Sequence, residues 1–317
     1  MRSRGPGSGV RGPDHSPPPA GAAPEGASDT TGAAPAPGRG CLFVVATPIG
    51  NLGDLSPRAR EVLAGVAAVL AEDTRRIRKL LNHFAIKTPA RPLHEHNEAR
   101  EVPRLLAALA AGAQLALVSD AGTPLLADPG YRLVRACRER GIGVLAVPGP
   151  SAVPAALAVA GLPPIPFTFA GFLPARGGAR AAALQALAGL PHTLVLFLSP
   201  HRLEEELAAC ADVLGGERES ALLAELSKLH ERCEWGTLGE VRSRLAGVAP
   251  RGEFTLVVGP PPVAATPAAT PGAARAALDR ALASGLPLAE ARREAARRLG
   301  IPRRELYALL QVDRSED

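Results

Sequence analysis

From Leu42 to Val147 the chain repeats one pattern: a short apolar run, a turn, then a longer alanine- and leucine-rich stretch carrying charge on one side. The runs are Leu42–Ala46, Val66–Ala71, Gln114–Val118 and Gly143–Val147, and the intervening stretches are Pro57–Leu63, Thr74–His83, Glu101–Ala110 and Tyr131–Glu139. Parallel strands need a crossover long enough to hold a helix, so this alternation predicts a mainly parallel sheet covered by helices. Ser56 followed by Pro57 marks a helix start, the serine as cap and the proline at the first helical position.

After the proline-rich break Leu162–Pro166 the pattern changes. Phe167–Phe172, Thr193–Leu198, Ser220–Glu225 and Glu253–Val258 read as strands, but only Ala179–Ala188 and Arg202–Val213 read as helices. Fewer helices per strand predict a mixed sheet. The expected organisation is α/β in two domains, 41–164 and 165–260, followed by a Pro/Ala linker at 261–272 and a helical tail at 273–317. Within that tail Ala273–Ala283, Leu288–Leu299 and Arg303–Leu310 are helical, and Leu299-Gly300-Ile301-Pro302 resembles a helix-turn-helix connection. Residues 1–40, rich in Gly, Pro, Ala and Ser, lack the apolar surface to offset ordering entropy and are expected to be disordered.

Charge and cysteine content narrow the function classes. No apolar run approaches the ~20 residues that span a bilayer, so a soluble, cytoplasmic protein with no membrane partner is expected. The net charge is +5, and Lys79, Lys87 and Lys228 are the only lysines among 36 basic residues. That balance suits an anionic partner such as RNA, or it is only a solvated basic surface. The four cysteines stand far apart with no CxxC pair, which argues against structural zinc and for reduced thiols.

Ligands in open parallel sheets bind beyond the carboxyl ends of the strands, so the loops there carry the chemistry. Three are unusual. Thr47-Pro48-Ile49-Gly50-Asn51-Leu52 follows the first strand, as a backbone approach to a ligand or as a plain turn. Ser119-Asp120-Ala121-Gly122-Thr123-Pro124 leaves room for a ligand edge, with Asp120 positioned to accept hydrogen bonds or to act as a turn residue. Val147-Pro148-Gly149-Pro150-Ser151-Ala152 opens a helix, where Ser151 caps it, backbone N–H groups bind a polar ligand, or both. No GxGxxG follows the first strand, so a dinucleotide site is not expected.

Taken in order, "TPIGNLGDLS", "AEDTR", "HEHNE", "LVSDAGTPLLADPG", "VPGPSA" and "GFLP" resemble the tetrapyrrole methylase superfamily, and within it the small-subunit ribosomal RNA methyltransferases. The resemblance covers about 42–259, and the C-terminal helices also have a counterpart there. It implies a homodimeric enzyme using S-adenosyl-L-methionine, with the cofactor between two domains. The implied reaction methylates the ribose 2′-oxygen of a cytidine in the decoding centre of 16S rRNA, within the 30S particle. The implied cofactor residues are Pro48, Ile49 and Gly50; Ser119, Asp120, Ala121, Gly122, Thr123 and Pro124; Ser151 and Ala152; and, from the second domain, Leu198, Ala224 and Thr255. Two departures fall on that second-domain side: Leu198 replaces the family's usual glutamate and Ala224 an arginine, while Ser227 stands for a threonine.

Methyl transfer from a sulfonium needs no metal, but a ribose hydroxyl needs alignment and a proton acceptor. Asp73, Asp120, Glu225 and Lys228 are the candidate acceptors, the lysine only with a depressed pKa; Lys228 serves equally as a phosphate contact. His94-Glu95-His96 would share a strand face but forms a weak metal set, so no metal is expected, and RNA contact or a structural role is preferred. Arg75, Arg76, Arg78 and Lys79 on one helix are either part of an RNA-docking surface or a solvated face, and the helical unit carrying six arginines from Arg292 to Arg304 either grips RNA backbone or is a small appendage packed on the dimer. Two alternative functions remain: a same-fold methyltransferase acting on a tetrapyrrole precursor, and a non-catalytic nucleic-acid-binding protein.

Overall fold

A computed structural model describes residues 40–247, 251–262 and 270–312. Most of the disordered segment expected at 1–40, residues 263–269 of the expected linker and 313–317 of the tail lie outside these described residues. The first sheet contains β1 (Cys41–Val45), β2 (Ala68–Ala71), β3 (Ala90–Pro92), β4 (Gln114–Val118) and β5 (Gly143–Val147) in the order β3-β2-β4-β1-β5, all parallel. Its helices are α1 (Pro57–Gly65), α2 (Thr74–His83), α3 (Glu95–Ala110), α4 (Tyr131–Glu139) and α5 (Ala152–Val159). Side chains alternate across a strand, so each strand feeds two cores. Phe43, Val45, Val69 and Val118 pack on Leu63 of α1 and Ile77 of α2. Leu42, Leu70, Leu115 and Leu117 pack on Leu109 of α3 and Leu133 of α4.

The second sheet holds β6 (Phe167–Phe172), β7 (Thr193–Leu198), β8 (Glu219–Ala224), β9 (Arg232–Thr237) and β10 (Phe254–Val258) in the order β6-β7-β10-β8-β9. Only the β6–β7 pair is parallel, so the sheet is mixed. One face is covered by α6 (Gly177–Ala188), α7 (Leu203–Leu214) and α8 (Leu238–Leu245), against Leu196, Leu222 and Leu256. The other face receives α5: Val153, Ala156 and Leu157 pack with Val195, Leu223 and Val257, and Ile49 joins them. A core shared by α5, Ile49 of the first loop and the second sheet therefore links the two halves of the chain. Helices α9 (Pro271–Ala283), α10 (Leu288–Leu299) and α11 (Arg303–Val312) close on a core of their own built from Ala277, Ala281, Ala291, Ala295 and Leu306. Among the described residues no helix is long and apolar enough to cross a membrane.

The alternation correctly located most elements, and it missed β3, β9 and α8. It also misplaced the start of α3. His94-Glu95-His96 does not lie on a strand: His94 precedes the helix, and Glu95 and His96 form its first turn, which removes the shared face expected for them. The cause is Asn97, whose carbonyl accepts from the His94 N–H (2.9 Å) while its amide donates to the Pro92 carbonyl (3.1 Å). Such a reciprocal clasp nucleates a helix.

Glu98 extends that structural role. It is buried, and its Oε1 accepts from the Leu133 N–H in the first turn of α4 at 3.1 Å. The residue before α4 is Gly130, at φ +118°, where an added Cβ would strike Leu117. A glycine has no side chain to cap the helix, so Glu98 supplies the acceptor from outside. Glu98→Leu leaves that N–H unpaired and is expected to destabilise the protein by about 1–3 kcal/mol in urea unfolding. Glu98→Gln keeps an acceptor and is expected to lose less than half as much.

Candidate active site

The order of the first sheet explains why three separate sequence loops meet. β4, β1 and β5 are neighbours, so the loops leaving their carboxyl ends lie side by side. Two backbone bonds staple the first two loops: the Thr47 N–H donates to the Gly122 carbonyl (2.9 Å), and the Gly122 N–H donates back (3.0 Å). The buried Thr47 hydroxyl donates to the Ser119 carbonyl at 3.0 Å, and the Thr123 hydroxyl to the Pro150 carbonyl at 3.2 Å, which brings in the third loop. Gly122 has φ +88°, and a Cβ there would sit 3.2 Å from Ile49 Cγ2 and 3.9 Å from Ser151 Cα. Pro48, Ile49, Gly50, Ser119–Pro124, Ser151 and Ala152 are thus gathered at one edge. Ser151 precedes α5 without a side-chain bond to the helix, so its hydroxyl is not consumed by capping.

The second loop is held in an unusual shape. Leu125 and Ala127 both have left-handed φ (+75° and +69°), a conformation costly for residues with a Cβ. Asp128 closes the loop, its Oδ2 lying 2.5 Å from the Ser119 hydroxyl, which also lies 2.9 Å from the Ala121 carbonyl. Burial raises the Asp128 pKa; the Ser119 hydrogen bond opposes this, and the nearby Glu72 and Asp120 carboxylates reinforce it. A proton on Asp128 is accommodated without rearrangement: the acid then donates to Ser119 Oγ, and the serine hydroxyl turns to the Ala121 carbonyl. Asp128 was not singled out from the sequence, although it stands in the quoted "ADPG" run.

Of the candidate proton acceptors, Asp73 and Asp120 meet directly, because β2 and β4 are adjacent. Asp120 Oδ1 accepts from the Asp73 N–H at 3.0 Å, and Oδ2 lies 3.9 Å from Arg76 Nε. Asp73 itself caps α2, accepting from the Arg75 N–H and pairing with its guanidinium at 3.0 Å, and these contacts lower its pKa to about 2. Glu225 and Lys228 face the first loop from the second sheet, where Lys228 Nζ donates to Glu225 (2.7 Å) and Glu253 (3.2 Å). Burial pushes Glu225 up, but the Lys228 hydrogen bond and the Glu253 N–H outweigh it and its pKa falls. Burial pushes Lys228 down, but the two carboxylates reverse that and its pKa rises. The depressed pKa that a lysine base requires is therefore absent, and Lys228 stands in the cleft as a cation. Its stem covers Gly50, where any Cβ would collide with it, and Ser227 donates to Asp54 at 2.5 Å beside it.

The second-sheet residues divide by face. Leu198 and Ala224 are buried in the core against α6–α8, on the side away from α5, whereas Thr255, Phe197 and Leu223 lie in register on the α5 side. A one-residue step along a strand reverses the face, so the Leu198 and Ala224 side chains do not join the first-sheet loops. The two departures noted in the sequence are neighbours in space. Leu198 and Ala224 flank Phe254 from the strands on either side of it, both in the buried core.

Between the first loop, α2 and Lys228 lies an open hollow of about 240 Å³ lined by Pro48, Ile49, Arg76, Lys79, Asp120 and Lys228, among others. Arg76, Lys79 and Glu253 join the site here. They were not among the predicted cofactor or proton-transfer residues, though Arg76 and Lys79 belong to the basic helix noted in the sequence.

Residues 41–242 match the family model for Tetrapyrrole (Corrin/Porphyrin) Methylases. The chain is 45% identical to a protein of Mesorhizobium japonicum over 85% of this chain and 90% of that protein. It is 46% identical to one of Xylella fastidiosa (84% and 98%) and 43% identical to one of Mycobacterium tuberculosis (87% and 96%). All three are named ribosomal RNA small subunit methyltransferase I. A solved diphthine synthase superposes with a TM-score of 0.56 at 16% identity, covering 69% of this chain and 89% of that one, a likeness of fold. The chain belongs to the tetrapyrrole methylase family, in the group of the ribosomal RNA small subunit methyltransferases I, and is an S-adenosylmethionine-dependent methyltransferase.

Proposed function

We propose that this enzyme methylates the ribose 2′-oxygen of a cytidine in the decoding centre of small-subunit rRNA, acting in the cytoplasm on the 30S particle. The observation that carries the reading is the identity of 43–46% across most of both chains to proteins named for small-subunit rRNA methylation. The domain division at about residue 165 and a homodimeric assembly belong to the same reading. Exposed Ile165 just before the edge strand β6, and Phe167 and Phe172 at its two ends, are in keeping with a subunit contact.

The stapled loops suit the donor. Gly122 stands beside Ser151, where a Cβ would sit 3.9 Å from Ser151 Cα, and the Ser151 hydroxyl makes no bond to the helix it precedes. When bound, S-adenosylmethionine supplies a methyl group made electrophilic by its sulfonium. The protein's own task is to hold the hydroxyl in line and take its proton. Asp120 is the proton acceptor in this reading. It lines the hollow with an oxygen that no short bond occupies, whereas Asp73 is engaged in capping and Glu225 and Lys228 neutralise each other.

Asp120→Asn retains an acceptor for the Asp73 N–H, so the fold persists while kcat on undermethylated small subunits is expected to fall by about 10²–10⁴-fold. Asp73→Ser keeps a helix cap and is expected to leave kcat within about threefold of wild type, a difference under ~1 kcal/mol. The reverse ranking in a radiolabelled methyl-transfer assay would exchange the two roles. Replacing Gly122 by Leu sets a side chain at a left-handed φ against Ile49 and is expected to abolish S-adenosylmethionine binding by calorimetry. Unchanged affinity would place the cofactor elsewhere.

A further inference from the structure

The Thr47–Gly122 staple has two sides. Gly122 and Thr123 face the third loop and Ser151, whereas Asp120 and Ala121 face α2 and line the hollow of about 240 Å³. With the donor on the third-loop side, a reacting hydroxyl must come from the other, and the hollow is the recess there. Its walls are of two kinds. Ile49, Leu52, Ile77 and Leu80 make an aliphatic lining, and three cations stand at its margin: Arg76 and Lys79 from α2, and Lys228 from the second sheet.

We infer that this hollow receives a single nucleotide of the substrate strand, its sugar toward Asp120 and its flanking phosphates between Arg76 and Lys79 on one wall and Lys228 on the other. The inference rests on the rRNA reading above and assigns that reaction its substrate subsite. Size supports it: the recess suits one nucleoside and is far too small for a helix, so the target must leave its stack to enter. Charge supports it as well. Arg76 and Lys79 are exposed, the only carboxylate within 4.0 Å of Arg76 being Asp120 at 3.9 Å, and Lys79 has none within that distance among the described residues. Two exposed α2 cations, only one of them near a carboxylate, at a recess that Asp120 also lines suit a ligand with an anionic rim and a hydroxyl at its centre. Lys228 lies on the opposite wall, its stem over Gly50 and its ammonium held in place by Glu225 and Glu253. The aliphatic part of the lining suits the apolar faces of a sugar and base, and the charged margin suits the backbone.

The test is steady-state methylation of undermethylated small subunits by wild type, Arg76→Gln/Lys79→Gln and Lys228→Gln, with S-adenosylmethionine affinity measured by calorimetry. Both α2 side chains are exposed, so the double variant should melt as wild type does. The expected result is a KM for subunits raised about tenfold or more, kcat within about threefold and cofactor Kd unchanged. The slope of log KM against log salt should flatten by about 0.7 for each phosphate that the variant no longer neutralises. Wild-type KM and salt slope in the variants would overturn the subsite and leave the rRNA reading standing. A parallel loss of S-adenosylmethionine affinity would also overturn it by making the hollow part of the cofactor bed. If wild-type enzyme puts no label into RNA and labels a tetrapyrrole instead, the rRNA reading falls and the nucleotide subsite falls with it.

Discussion

Everything in the site hangs on two backbone hydrogen bonds between Thr47 and Gly122. Strands β1 and β4 are already neighbours, and this bridge continues their pairing past the point where the sheet ends. The loops beyond are therefore not free to wander: their backbone groups are consumed by each other, and unpaired backbone groups are what usually lets a loop move. The buried Thr47 hydroxyl adds a third bond to the Ser119 carbonyl. Position 122 accepts only a residue that tolerates φ +88° and shows no side chain to Ile49, which is why a glycine stands there.

Around that staple the charges sort by neighbourhood. Asp73 is held ionised by Arg75, Glu225 and Lys228 hold each other charged, and Asp128 is drawn toward its protonated form by burial with two other carboxylates close by. Acids near one another are thus shifted in opposite directions, Asp73 down by its arginine and Asp128 up by burial, a separation that active sites commonly exploit. Asp120 is the member whose outer oxygen opens onto the hollow.

The period-two and helical patterns made most of the fold legible, because strands alternate between two cores and helices such as α1 and α2 start on local caps, Ser56 and Asp73. What stayed hidden was decided at a distance. Strand β3 is three residues long and pairs only by virtue of β2 beside it. Arg232–Thr237, an edge strand with a half-exposed pattern, carries no alternation to detect. The "HEHNE" run looked chemical because of its histidines and acids, yet Asn97 and Glu98 are structural clasps, one starting its own helix and one finishing another. The loop motifs foretold which first-sheet residues gather. They did not foretell that Leu198 and Ala224 turn away, since face depends on register and register is set by Phe254 in a strand far along the chain.

Helix α5 sets a cost on parting the two sheets. It starts at Ser151, within the ligand-facing loops, and buries Val153, Ala156 and Leu157 against the second sheet. A clamshell motion that swung the sheets apart would drag these side chains into water, at roughly 1.5–3 kcal/mol for each of the larger ones. Because Ile49 of the first loop shares that core, the loop at the tip of β1 and the second sheet are tied together, and parting them at this seam carries that cost.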